Sequence, residues 1–183
     1  FSKGINWYRS HFPSVVYKAY VQKVKKSRLI TGEATPYYLF HPYVPRRVFE
    51  TVPQAKLIAL LRNPIDRAFS HYQREVMLGN EYLSFEEAVK QEEARLAGEI
   101  ERVKEDENYF SYNHQRYSYL ARGIYIEQLE KWGKFFSRDK ILVLQSERFF
   151  ENPTFALSRI VEFLGISDCD FNLDGKRYGR RAK

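Results

Sequence analysis

The chain has few of the residues that cross-link or anchor a protein. It holds one cysteine, Cys169, in 183 residues, so an internal disulfide is excluded and a reducing compartment is favoured. No apolar run approaches the ~20 residues of a membrane-spanning helix, and no basic-then-apolar leader opens the sequence. We therefore expect no membrane span.

Several enzyme signatures are also missing. The sequence contains no G-x-x-x-x-G-K-[ST], G-x-G-x-x-G or G-x-S-x-G pattern, which disfavours the familiar ATPase, dinucleotide-binding and hydrolase classes. The four histidines show no metal-ligand spacing, so we expect structural roles for them and no metal site. They are His11, His41, His71 and His114.

Basic residues are in surplus, with 30 Lys and Arg against 23 Asp and Glu and a net charge of +7. Residues 86–107 hold nine acidic and four basic side chains, so the rest of the chain is more basic than the total. A net positive charge outside this acidic segment suits an anionic ligand such as a nucleotide, a polysaccharide or a nucleic acid. The alternative is that the lysines serve solubility.

Two apolar strands alternate with helical patterns and predict an α/β domain. AKLIALL (55–61) and KILVLQ (140–145) are typical of strands buried on both faces of a parallel sheet, and a further short strand is expected near residues 27–31. Asn63 and Pro64 predict a helix over 64–77, and Asn152, Pro153 and Gly165 bound another. We expect a single domain over 1–183 with a mostly parallel central sheet flanked by helices.

Further helices are predicted by caps and apolar spacing. They are a helix over residues 14–26, a short helix near 46–51, a long polar helix from Ser84 to about 107, and an amphipathic helix over 124–136.

Arg62 lies at the expected carboxyl end of the first apolar strand, where open α/β sheets bind ligands. With Asn63 and the first free N–H groups of the following helix, its guanidinium could grip a phosphate. Ser70 would reach the same anion only along the flank of the helix. The alternative is that Arg62 pairs with Asp66 or Glu75 and that Ser70 fills a helix contact.

Glu33 follows Gly32 in a loop before Thr35 and Pro36, a position suited to a general base that takes a proton from a hydroxyl or amine. Partial burial near tyrosines 37 and 38 would raise its pKa. The alternative is a loop carboxylate that caps a helix or pairs with a surface arginine.

The basic tail holds Lys176 and Arg177 between two glycines and could close over a phosphate. The alternative is a solvated terminus.

These segments resemble the sulfotransferases that use 3′-phosphoadenosine 5′-phosphosulfate (PAPS). LIALLRNPIDRAFSHYQ (57–73) resembles their 3′-phosphate-binding strand and helix, and TGEATPYYL (31–39) resembles the catalytic-base loop of the heparan-sulfate type. INWYRSHFP (5–13) and residues 123–153 also resemble this family, in the expected order. The resemblance implies the P-loop-NTPase-like sulfotransferase fold and the product adenosine 3′,5′-bisphosphate. It also implies that Arg62 and Ser70 hold the 3′-phosphate, that Glu33 is the base, and that Lys176 and Arg177 lie over the cofactor.

Two departures from the family pattern follow. The family's phosphosulfate loop, Pro-Lys-x-Gly-Thr-Thr or similar, occurs nowhere in the 183 residues, so we expect that its strand and catalytic lysine precede this sequence. Golgi members carry a cysteine pair where this sequence has only Cys169, which favours a bacterial-type cytoplasmic enzyme over one of the Golgi lumen.

The expected partners are PAPS and an acceptor with a hydroxyl or amine group, for which a glycan is one candidate, with no nucleic acid. The oligomeric state is not indicated. The alternative function is a non-catalytic binder of nucleic acid or acidic polysaccharide, for which no recognised motif is present. A related kinase is a third possibility that lacks its phosphate-loop lysine.

Overall fold

A computed structural model describes residues 3–26 and 29–166 of the protein. The predicted positions Lys176 and Arg177, and Cys169, lie outside this part of the chain. Helices dominate the described residues: α1 (Gly4–Arg9), α2 (Val15–Val24), α3 (Val44–Thr51), α4 (Pro64–Met77), α5 (Phe85–Leu96), α6 (Glu99–Glu105), α7 (Tyr112–Arg116), α8 (Tyr125–Gly133), α9 (Ser146–Glu151) and α10 (Pro153–Leu164).

The sheet in the described residues consists of two parallel strands, β1 (Leu57–Leu61) and β2 (Ile141–Gln145). Leu57 pairs with Ile141 and Leu61 with Gln145, so both strands end at the same edge. A parallel pair needs a long crossover, and helices α4 to α8 supply it. The predicted α/β class with a parallel sheet is confirmed.

Two predictions about the strands are wrong. Strand β1 is not fully buried on both faces, because Ile58 and Leu60, which lie on the same face, are 41% and 46% exposed. Apolar composition marks a strand but does not tell which neighbours pack on it. The short strand expected near 27–31 is also absent from described residues 29–35, which pair with neither strand and run as an exposed loop.

Capping explains the helices that were predicted correctly. The Ser14 side chain accepts from the N–H of Tyr17 at the start of α2, and Asn63 and Asn152 cap α4 and α10 in the same way. Gly165 ends α10 with φ of 67°. The long polar helix over 84–107 was wrong in one respect: Gly98, with φ of 74°, divides it into α5 and α6.

Two apolar clusters hold the layers together. The first contains Val44, Trp132 and Phe136, against which Leu57 and Leu39 pack. The second lies between α4 and α5 and contains Ala68, Ala88 and Tyr119, with Tyr72, Leu83, Phe85 and Tyr117 around it. The first cluster joins the sheet to the segment that carries Glu33.

Four buried glutamates stabilise the helical half through specific partners. Glu75 is fully buried between Arg74 and Arg116, and Glu81 pairs with Arg95. Glu92 accepts from the N–H groups of residues 120 and 121, at 2.7 and 2.8 Å, and Glu99 accepts from the hydroxyls of residues 109 and 111. Buried carboxylates are tolerated only when they are paired in this way.

The close approach of Gly123 to α4 gives a stability test. A Cβ at position 123 would lie 3.0 Å from the Cβ of Pro64, whereas a Cβ at Gly133 meets nothing within 4 Å. We expect Gly123→Ala to lower the free energy of unfolding by ~1–3 kcal/mol, because the proline ring cannot move aside. Gly133→Ala, at the end of α8, should be neutral or slightly stabilising. Urea denaturation measures both, and equal stabilities would contradict the contact.

Candidate functional site

Arg62 directly follows β1, and its main chain is held in place while its side chain is left without a partner. The Tyr125 hydroxyl donates to the Arg62 carbonyl oxygen at 2.9 Å. The Arg62 side chain is exposed and makes no hydrogen bond or ion pair within residues 3–26 and 29–166. It therefore does not pair with Asp66 or Glu75, the structural alternative considered from the sequence.

Three arginines line one cavity of about 200 Å³ beside the end of β1. Arg62, Arg67 and Arg122 share its wall with Tyr125 and Gln128, and no carboxylate lines it. The remaining lining residues are apolar: Pro36, Leu39, Phe40, Leu60 and Leu61. The cavity therefore carries positive charge from its own walls.

The two inner arginines are bound to carbonyl groups rather than to carboxylates. Arg67 donates to the carbonyl oxygen of Tyr119, and Arg122 donates to that of Gln115. Burial, opposed only in part by nearby groups, lowers the pKa of Arg122 to about 10 and lowers that of Arg67. Within the described residues neither arginine forms an ion pair, although Glu92 acts on Arg67 and Glu75 on Arg122 electrostatically. Their positive charge favours an anion in the cavity that they line.

The start of α4 is less open to an anion than the sequence suggested. The Asn63 N–H donates to Glu147 Oε1 at 2.8 Å, and the Ile65 N–H donates to the Asn63 side chain at 2.9 Å. The prediction that these first N–H groups are free is therefore wrong. The cationic side chains, and not these two main-chain groups, are what the site offers to a phosphate.

Ser70 lies in the second turn of α4 and is half-buried. It is not among the residues that line the arginine cavity. Its contact with the same anion as Arg62 stays a prediction.

Glu33 lines a second cavity, which has a volume of about 330 Å³. The Tyr8 hydroxyl donates to Glu33 Oε1 at 2.9 Å. Burial and the Glu33 carboxylate together raise the pKa of Tyr8 and of Tyr38, so both phenols stay protonated beside it. The neighbours of Glu33 are thus Tyr8 and Tyr38, whereas Tyr37 points to another partner.

The segment 32–40 borders both cavities. Gly32, Glu33 and Tyr38 line the larger one, and Pro36, Leu39 and Phe40 line the arginine cavity. The structure therefore does not place Glu33 and Arg62 in one pocket; it places them in two pockets that both take lining residues from segment 32–40, here called the shared wall.

Contacts with α7 and α8 fix this shared wall. The Tyr37 hydroxyl is hydrogen-bonded to His114 Nδ1 at 2.6 Å, and Phe40 stacks on the same ring with centroids 4.2 Å apart. Trp132 Nε1 donates to the Leu39 carbonyl oxygen at 3.3 Å. Tyr8, Arg67, Arg122 and His114 were missed as site residues because these contacts join positions far apart in the sequence.

The other predicted features give few further site residues. His41 accepts from the Tyr43 N–H, and His71 is buried against Tyr119, in keeping with the structural roles expected for them. No group of three or more metal-type side chains occurs within the described ranges. None of the helices in the described part of the chain is long and apolar enough to cross a membrane.

A comparison with known protein families decides the relationship. The sulfotransferase domain family matches residues 1–173. The chain belongs to the sulfotransferase family. The resemblance seen in the sequence is therefore confirmed.

Relatives of this member of the family include a bacterial protein and proteins from eukaryotes. A sulfotransferase of Alicyclobacillus acidocaldarius with a known crystal structure is 34% identical with a TM-score of 0.59, over 81% of this chain and 56% of that one. Membrane-associated sulfotransferase kil1 of Dictyostelium discoideum is 25% identical over 93% of this chain and 49% of its own length. Human heparan sulfate glucosamine 3-O-sulfotransferase 5 is 28% identical over 91% and 42%. The chain thus spans about half or less of these curated relatives.

The anchoring of segment 32–40 gives a pH test. Burial, with Arg122 adding to it, lowers the pKa of His114 from its ordinary 6.5 to about 4. As pH falls, the imidazole is therefore protonated in the unfolded chain before it is protonated in the folded protein. The contribution of neutral His114 to the free energy of unfolding is complete above pH 6.5 and is lost as pH falls towards 4. The pKa values of His41 and His71 are also lowered, so these residues add to the same loss of stability at acid pH. The contribution of His114 is therefore measured as a difference between variants.

We expect His114→Gln to be less stable at pH 7 and to lose less stability between pH 6.5 and 4 than the parent. Urea denaturation at several pH values in this range measures the free energy of unfolding of each variant. His11→Gln, which replaces an exposed histidine, is the control. The same pH dependence for the parent and for His114→Gln would contradict the role of His114.

Proposed function

We propose that the protein transfers a sulfuryl group from PAPS to a hydroxyl or amine of an acceptor. Membership of the family supports sulfuryl transfer. The observation that carries the proposal is the cavity at the end of β1, where Arg62, Arg67 and Arg122 meet without a carboxylate. An anionic cofactor supplies the charge that this cavity lacks.

The residues present fit the adenosine 3′-phosphate end of PAPS. The Arg62 guanidinium, which has no partner among residues 3–26 and 29–166, can bind a phosphate through two parallel N–H groups. Ser70 would add a hydroxyl from the flank of α4, and Lys176 and Arg177 would close over the cofactor from outside the described residues. When bound, PAPS supplies the sulfuryl group. The Pro-Lys-x-Gly-Thr-Thr loop, which would hold its phosphosulfate end, is not in this sequence.

Glu33 is proposed as the general base that takes the proton from the acceptor. Its carboxylate accepts from Tyr8 at 2.9 Å and retains acceptor positions for an entering hydroxyl. The proposal is supported by segment 32–40, which contributes lining residues both to the Glu33 cavity and to the arginine cavity. Positioning and charge stabilisation dominate group transfers of this kind.

The acceptor is proposed to be a carbohydrate. Relatives named for heparan sulfate include the human 3-O-sulfotransferase 5 and an N-deacetylase/N-sulfotransferase of Caenorhabditis elegans that is 28% identical. We also propose one sulfotransferase domain over 1–183 and a cytoplasmic location.

Nucleotide binding tests the cofactor site. We expect adenosine 3′,5′-bisphosphate to bind more tightly than adenosine 5′-monophosphate, because only the former has a 3′-phosphate for Arg62. Arg62→Ala should lower the affinity for the bisphosphate ~10–100-fold, because a charged hydrogen-bonding group is lost, and should leave the affinity for the monophosphate little changed. Isothermal titration calorimetry measures this, with Arg159→Ala, an exposed arginine of α10, as control.

No preference for the 3′-phosphate, or an unchanged affinity in Arg62→Ala, would refute the site. An affinity for nucleic acid or acidic polysaccharide that falls steeply with salt, combined with no such preference, would instead favour the non-catalytic binder.

The base is tested separately in the longest form of the protein that turns over PAPS. Glu33→Gln should keep the affinity for adenosine 3′,5′-bisphosphate and lower kcat by ~10²–10⁴-fold, because the amide cannot take the proton. Glu162→Gln, an exposed change on α10, is the control. A Glu33→Gln variant with unchanged kcat would remove Glu33 as the base.

A further inference from the structure

The walls of the Glu33 cavity are almost entirely aromatic. Trp7, Tyr8 and Phe12 from the N-terminal segment face Tyr38 of segment 32–40, with Gly32 and His11 completing the lining. Trp7 is 48% exposed although it is the largest of these side chains. Flat rings around an open cavity are surfaces on which another ring can stack.

The charge of the cavity is that of one carboxylate. Glu33 is the sole acid among the described residues of the lining, and no described lysine or arginine lines the cavity. Lys3 lies outside this lining, with its Nζ over the face of Trp7 at 4.5 Å from the ring centroid. An acid group placed at the Glu33 end of the cavity would meet this carboxylate directly, and like charges at short range repel.

The polar groups at Glu33 select a hydroxyl. Tyr8 and Tyr38 keep their protons, because burial and the carboxylate raise the pKa of each, so Glu33 faces them as a hydrogen-bond acceptor. An entering hydroxyl donates to the remaining positions of the carboxylate. A volume of about 330 Å³ is at the small end of ligand pockets and suits one or two rings.

We propose that this cavity binds the acceptor as an uncharged ring that carries a hydroxyl, and that it disfavours rings with an acid group. The ring is a sugar unit, the acceptor class proposed above, stacked on Trp7 with its hydroxyl at Glu33; a phenol is the alternative that the test separates. The inference rests on the proposed role of Glu33 in acceptor binding, but it requires neither PAPS nor turnover.

Calorimetric titration of the chain with two matched pairs tests the proposal. The sugar pair is methyl β-D-glucopyranoside and methyl β-D-glucuronide; the phenol pair is 4-hydroxybenzyl alcohol and 4-hydroxybenzoate. We expect the neutral member of at least one pair to bind ~10-fold more tightly than its acid, the equivalent of about 1.4 kcal/mol. The pair that binds identifies the source of the ring.

Two variants tie this selectivity to the cavity. Glu33→Gln should bring the ratio of affinities between the neutral ligand and its acid close to one, because the repulsion is removed while the side chain keeps its size. Trp7→Ala should weaken the neutral ligand several-fold, and Phe150→Ala, which removes another exposed ring outside the cavity, should not.

Three results would overturn the proposal. The acids could bind as tightly as their neutral partners, the neutral ligand could fail to bind in both pairs, or Trp7→Ala could leave the affinities unchanged. These results are independent of the cofactor site. A chain that selects neutral rings but ignores adenosine 3′,5′-bisphosphate would keep the acceptor cavity and refute the proposed cofactor.

Discussion

The attachment of segment 32–40 to His114 is the constraint on which both cavities depend. The Tyr37 hydroxyl bonds to the imidazole at 2.6 Å, and Phe40 stacks on it, so one buried ring holds two points of the segment. Trp132 binds the Leu39 carbonyl oxygen and ties the same segment to the core beside β1. Glu33 precedes these contacts and lines one cavity, whereas Pro36, Leu39 and Phe40, which lie among or beside them, line the other.

Electrostatic pairing differs sharply between the helical half and the candidate site. Glu75, Glu81, Glu92 and Glu99 are buried, and each has hydrogen-bonding partners within the protein. Burial by itself would raise the pKa of Glu81, but Arg95 and nearby donors outweigh it and lower the pKa to about 2. Among the described residues, no carboxylate lines the cavity of the arginines near the end of β1 or forms an ion pair with them, although Glu92 and Glu75 act on Arg67 and Arg122 electrostatically. The contrast between paired acids in the helical half and arginines bound to carbonyl groups is what supports an anion site at this edge.

The sequence predicts the parts of this arrangement that depend on neighbouring residues. Helix α4 begins at Pro64 because Asn63 and Pro64 are local signals, and β1 and β2 stand out as apolar runs. The exposure of Ile58 depends on which elements cover the sheet, and apolar runs carry no information on that.

The site shows the same division. The motif around Arg62 and the Glu33 loop can be recognised in the sequence, but their partners cannot. Tyr8 lies 25 residues before Glu33, and His114 lies 77 residues after Tyr37. Glu147, whose carboxylate accepts from the Asn63 N–H, lies in α9, directly after β2. These pairings exist only after the chain has folded.

A crystal structure of the protein with adenosine 3′,5′-bisphosphate tests the central claim most directly. The account predicts that the 3′-phosphate lies within hydrogen-bonding distance of the Arg62 guanidinium, beside the cavity that Arg67 and Arg122 line, and that the Glu33 cavity holds no part of the nucleotide. A nucleotide bound in the aromatic cavity, or a 3′-phosphate out of reach of Arg62, would contradict it.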